Sequence, residues 1–322
     1  MFAKIENEHD IIQIVKRKTN LGNIDNISRT NHYEIFYFDY KEIKWSLLAS
    51  LVSRNAGWNM CDLEGDRLVK LMSVEYRRTL FSMYERANWL IFNDAYPQLL
   101  IYHYSTKYNK PLFHLLRYFR ISEFMIDEWQ TFWKDRDETR LLYALIINEQ
   151  NLIQKPIIAN TVYHKRIFNS LPYRLQEKLH FNVILFPTLS GKIYGASMKK
   201  FQNVHVRIEF GKQLSWILFD SGYLQEFIHF IKKTVHTGSR YDYEKYFSEK
   251  MRRDTPYLRF TYPIIEHVPE IGPSWDQQKK VKRSWFHSPK IKDDIEITNW
   301  YKKKLIEMSL LKNLQEWIQL NQ

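Results

Sequence analysis

The chain has 322 residues, with 48 Lys and Arg against 36 Asp and Glu, a formal charge of +12, and 44% hydrophobic and 16% aromatic residues. This composition excludes a disordered chain. The single cysteine, Cys61, excludes a disulfide partner and a cysteine-based zinc cluster.

Charge begins at Lys4, which leaves no apolar run for a secretory signal. No window reaches about 18 uncharged apolar residues, so no transmembrane segment is expected. Both absences point to the cytoplasm. From Lys41 to Val52, Ile43, Leu47, Leu48, Leu51 and Val52 recur at helical steps. The polar run Asn55 to Asn59 around Gly57 reads as a break, and helical spacing resumes from Asp66 to Tyr84. Asn88 to Tyr102 reads as a buried helix in which Pro97 marks a kink or a break. Leu112 to Phe119, Asp127 to Phe132, Arg140 to Ile153, Ile157 to Phe168, Leu171 to His180, Ser197 to Phe219 and Tyr223 to Val235 follow as further helices. Strand signal is confined to Asn182 to Phe186 and, weakly, to Glu34 to Tyr40. Pro263, Pro269, Pro273 and Pro289 mark an extended segment that wraps the body, because Trp275, Trp285 and Phe286 gain by burial. Asp293 to Leu320 is a terminal helix. The expected architecture is mainly α, a single compact multi-helix domain. Residues 1–262 form the helical body, and 263–322 form a basic Pro-rich segment plus terminal helix packed on it.

Three constellations could carry chemistry. In Ser53 to Met60, the side chains of Arg54, Asn55 and Asn59 gather donors around Gly57, either for an anion or to satisfy a helix corner. In His236 to Glu244, the polar residues His236, Ser239, Arg240 and Asp242 crowd around Gly238. This run could hold phosphate or supply His236 as a base, or it could be a helix cap followed by a new helix. The spacing fits no phosphate-binding P-loop. The third constellation is a pair of Glu-x-x-His runs, Glu177 with His180 and Glu226 with His229. With Glu149 and Glu209 ahead of them, they reproduce the order used by carboxylate-bridged di-metal bundles holding two Fe or Mn ions. Glu85, Asn88 and Asp94 form a polar series inside an apolar helix, for which Arg54 or Arg240 are candidate partners. Cys61 has no histidine beside it in sequence and reads as a packed residue.

At Asn26 to Thr30, Ser53 to Met60, Asn93 to Leu100 and His236 to Glu244, the chain resembles the YppC-like proteins of Bacillus and related Firmicutes. The resemblance extends over most of the chain and implies a cytoplasmic bacterial protein. That family is of unknown function, so the resemblance brings no activity, cofactor or catalytic residue.

The leading functional expectation is a cytosolic, non-catalytic binding protein for an anionic partner: nucleic acid, a nucleotide-like ligand or an acidic protein surface. Arg54, Asn55, Asn59, His236, Ser239, Arg240 and Asp242 form its site without a cofactor. Lys279, Lys280, Lys282 and Arg283 form a second basic patch, with Trp285 available for stacking. The alternative is a di-metal oxidoreductase on Glu149, Glu177, His180, Glu209, Glu226 and His229.

Overall fold

Helix starts are set by side chains that accept the first free backbone N–H groups. Asn7 caps α1 (Glu8–Gly22) and Asp25 caps α2 (Asn26–Asp39). Ser73 caps α5 (Val74–Tyr108), Ser122 caps α6 (Glu123–Asp135) and Asp137 caps α7 (Glu138–Leu152). Between α2 and α5 lie α3 (Lys44–Asp62) and the short α4 (Asp66–Leu71). Later come α8 (Val204–Phe219), α9 (Leu224–Lys233) and α10 (Thr298–Leu320). This computed structural model describes residues 7–168, 183–249, 251–269, 272–291 and 294–320, with the side chains of 314–320 excepted. The expected helix Leu171 to His180 lies outside the described residues.

Helix α3 is the axis of the core. Trp45, Leu47, Leu48, Leu51, Trp58 and Met60 are buried along it, and α2, α5 and α7 pack around it. An antiparallel hairpin, β1 (Val183–Pro187) and β2 (Ile193–Ser197), pairs Leu185 with Gly195. Asn55 ties this hairpin to α3: its Oδ1 accepts from Leu185 N at 2.8 Å, and its Nδ2 donates to Leu185 O at 2.8 Å.

Three sequence expectations are corrected. Asn55 to Asn59 is no break, because α3 runs through it and Asn55 and Gly57 are buried in packed positions. Pro97 does not end its helix: α5 spans 35 residues as one element and absorbs most of two expected helices. Glu34 to Tyr40 is not a strand. Phe36 and Tyr37, with Tyr33 one turn earlier, are buried from α2, a helical pattern in which aromatic content imitates strand propensity.

The mainly α architecture stands. The C-terminal segment touches the body at several separate points. Trp275 donates to Asn148 and Asp276 accepts from Phe124 N. Lys212 donates to His287 O, and Ile295 O accepts from Gly195 N at the hairpin edge. Tyr301, Leu305 and Met308 bury one face of α10. Trp285 is 2% exposed in a small cluster with Ile147 and Ile208, so its ring is part of the packing and offers no stacking surface. Lys279 lies over that ring, 5.2 Å from its centre. Among the described residues no helix is long and apolar enough to cross a membrane, and Cys61 is buried with no second cysteine to pair with.

Candidate functional site

Two sequence segments 180 residues apart meet where α3 passes the end of α9. Arg54 is 2% exposed; it donates from Nη1 to Thr234 O at 2.9 Å and from Nη2 to Glu34 at 3.1 Å. It therefore satisfies a carbonyl at the end of α9 while its Nε stays without a partner. Gly57 follows on the same helix. A Cβ there would stand 2.7 Å from His236 Nε2, so only glycine lets His236 close against α3. His236 Nε2 faces Asn26 Oδ1 at 2.9 Å. The Asn26 amide donates to Ser53 O at 2.7 Å, which turns its oxygen toward His236 and assigns the ring proton to Nε2. His236 Nδ1 is left 3.5 Å from Asp242 Oδ2 without a hydrogen bond.

Burial, with Arg54 adding repulsion, depresses His236 to about 4, so its ring is neutral at pH 7. Asp242 is buried too. That burial acts to raise its pKa, but the two hydrogen bonds donated by the Thr237 N–H and hydroxyl help hold the carboxyl below its usual value. Trp58 Nε1 also donates to Asp242, at 3.1 Å.

Arg54 and His236 line one open cavity of about 490 Å³. Ile27, Ile231, Val235 and Phe260 give it apolar walls; Val235 and Phe260 are 79% and 89% exposed at its mouth. Its charged lining is Arg54, Lys232 and Arg259 against Glu34. Arg259 is held by Asp25 at 2.7 Å, and Lys232 sits 4.7 Å above the Phe38 ring. Burial raises the Glu34 carboxyl, and the neighbouring Arg54 opposes that shift. Glu34, Asn26, Lys232 and Arg259 were not singled out from sequence. The visible signal was the pair Lys232 and Lys233 at a helix end, just ahead of His236.

The other expected site residues turn inward. Ser239 binds Thr255, and Arg240 contacts three carboxylates: Asp62 at 2.6 Å, Asp254 at 3.0 Å and Glu244 at 3.8 Å. Burial works against the Arg240 charge, but Asp62 and its companions hold its pKa well above the usual value. Asp62 itself is pushed up to about 7 by burial, with Arg240 opposing and Glu244 and Asp254 adding. Tyr301 donates to Glu244 and meets Tyr243 at 2.8 Å. Asn59 lines a small chamber of about 90 Å³ under α10, beside Asp62. Asn55 spends its amide on the hairpin. Glu85 pairs with neither Arg54 nor Arg240; it is bound by Arg29 and lies 3.6 Å from His267. Cys61 packs under Gly238, and burial pushes its thiol up, away from nucleophilic use.

The metal constellation is described only in part. Glu177 and His180 lie outside the described residues. Glu226 and His229 are exposed on α9, and Glu209 pairs with Lys212 at 2.9 Å. Glu149 receives the Trp45 indole at 3.1 Å, and burial raises it to about 7. Among the described residues no three His, Cys, Asp or Glu side chains gather as a metal site.

Residues 22–302 match the family described as "Protein of unknown function (DUF2515)". The chain is 46% identical over 308 residues, 96% of each chain, to the uncharacterized protein YppC of Bacillus subtilis (strain 168). The chain belongs to this family. No solved structure matches it.

Proposed function

We propose that the chain is a cytoplasmic, non-catalytic binding protein that receives the anionic group of a partner in the cavity floored by Arg54 and His236. The observation that carries this reading is the convergence of two distant polar segments on one open, partly apolar cavity. Its lining holds three cations against one carboxylate. The size and mixed lining suit a phosphate- or carboxylate-bearing group attached to an apolar body. Binding is favoured over base catalysis because His236 is fully buried, neutral and committed to Asn26. Among the partner classes consistent with the net charge, a concave floor favours a small anionic ligand over a nucleic-acid backbone, which tracks extended basic surface.

The test is titration of inorganic pyrophosphate, succinate and a short single-stranded oligonucleotide at low and high salt, with wild type and Lys232→Ala. The expected result is saturable binding of pyrophosphate or succinate that weakens with salt and in the variant. Binding of the oligonucleotide alone would replace the small ligand by nucleic acid, and no binding at low salt would reject the reading.

A further inference from the structure

A second cavity, of about 540 Å³, lies between α5, α7 and the wrapping C-terminal segment and shares no lining residue with the Arg54 cavity. Its floor is built from hydrogen-bond acceptors. Pro97 has no N–H, so the carbonyl of Asn93, four residues earlier, loses its helical donor. Asp94 accepts Gln98 Nε2 at 2.7 Å and Asn148 Nδ2 at 2.6 Å, both on Oδ1. Its Oδ2 has no donor among the described residues. One turn along α7 from Asn148, Asn151 is 3% exposed and donates to Ile147 O, and its Oδ1 has no partner. Asn93, Asp94 and Asn151 all line the cavity. Burial pushes the Asp94 carboxyl up to about 7 against the hydrogen bonds of Asn148 and Gln98, with Asp276 adding to the rise. Such a carboxyl gains from a donor brought by a ligand.

The walls and rim narrow the class of ligand. Trp275, fixed by its 2.8 Å bond to Asn148 Oδ1, gives a flat aromatic wall. Arg120, Lys155 and Lys279 stand at the rim, where the acidic residue Glu123 is already paired with Arg117. Acceptors in the floor call for N–H donors, a flat wall calls for a ring, and a cationic rim calls for an anion.

We propose that this cavity binds a nucleotide whose base carries an exocyclic amine, with the amine donating to Asp94 and Asn151, the ring against Trp275 and the phosphate at Lys155, Lys279 and Arg120. The proposal stands on residues separate from those of the Arg54 cavity and fails independently of it.

The test is calorimetric titration of the full chain with the pairs CMP and UMP, and AMP and IMP, each differing by an amine in place of a carbonyl. Cytidine, adenosine and inorganic phosphate serve as controls. The expected result is at least about tenfold tighter binding of the amine-bearing member of one pair, with inorganic phosphate weaker still. Asp94→Asn keeps the acceptor used by Gln98 and Asn148 but turns an amide N–H into the cavity. It is expected to reverse the preference within that pair. The exposed change Lys155→Ala is expected to weaken the nucleotide and leave its nucleoside unchanged. Equal binding within both pairs, phosphate binding as tightly as the nucleotide, or no nucleotide binding at millimolar concentration would overturn the proposal. So would a folded Asp94→Asn protein with unchanged preference, or a Lys155→Ala protein with unchanged nucleotide affinity.

Discussion

Arg54 and Arg240 are both almost fully buried, and both sit in polar runs that stand out in the sequence, yet their surroundings differ. Arg240 is enclosed by Asp62, Asp254 and Glu244, and its charge is more than matched. Arg54 has one carboxylate and one carbonyl, an Nε with no partner, and an open cavity in front of it. Burial and charge alone do not distinguish a structural arginine from a binding one. The count of carboxylate partners and the size of the adjoining cavity, about 490 Å³ against about 90 Å³, do.

The comparison can be broken most readily at Arg240. Arg240→Met should cost about 3–5 kcal/mol in a denaturant melt, since it takes their cation from Asp62 and the buried Glu244 and leaves Asp254 with Arg67 alone. A cost below about 1 kcal/mol would remove Arg240 from the structural class. Gly57→Ala comes next. Its new methyl displaces the His236–Asn26 contact, with an expected loss of about 1–3 kcal/mol read as a lowered Tm.

A pH series sharpens the contrast further. His236 falls from 6.5 to about 4 on folding, so below pH 6.5 the unfolded chain takes a proton that the folded chain refuses. Its contribution to stability is therefore lost as pH falls from about 6.5 to about 4, and His236→Gln should flatten that limb of a Tm-against-pH curve. Asp94 behaves oppositely. It is raised from 3.8 to about 7, so its contribution is lost as pH rises through that window, and Asp94→Asn should remove the loss. The smallest effect is expected from Glu226→Gln with His229→Gln. On the exposed face of α9 these changes should stay within about 0.5 kcal/mol and leave the metal content of the purified protein unchanged. Loss of bound iron or manganese in that variant would support the di-metal reading.

The fold was legible where periodicity was unbroken. The apolar spacing of α7 and α9 marked helices, and Trp285 of the C-terminal segment was marked for burial. It was illegible where polar groups find partners far away in sequence. Asn55 looked like a helix end because its partner, the backbone of Leu185, lies 130 residues on. Asn26 carried no site signal because its role is to orient His236, 210 residues away. Pro97 looked like a break because nothing local shows that α5 continues past it, packed on α1, α2, α3 and α7. The site was half legible. Residue types pointed to Arg54 and His236, while the same types at Ser239, Arg240 and Asp242 turned out to face inward.

Hydrogen exchange read by mass spectrometry, with and without inorganic pyrophosphate at low salt, addresses the division between the two arginines most directly. Slower exchange is expected in segments 27–34 and 231–237, around Arg54, and unchanged exchange in 240–255, around Arg240. Protection confined to 240–255, or none in 27–34 and 231–237 under saturating pyrophosphate, would contradict that division.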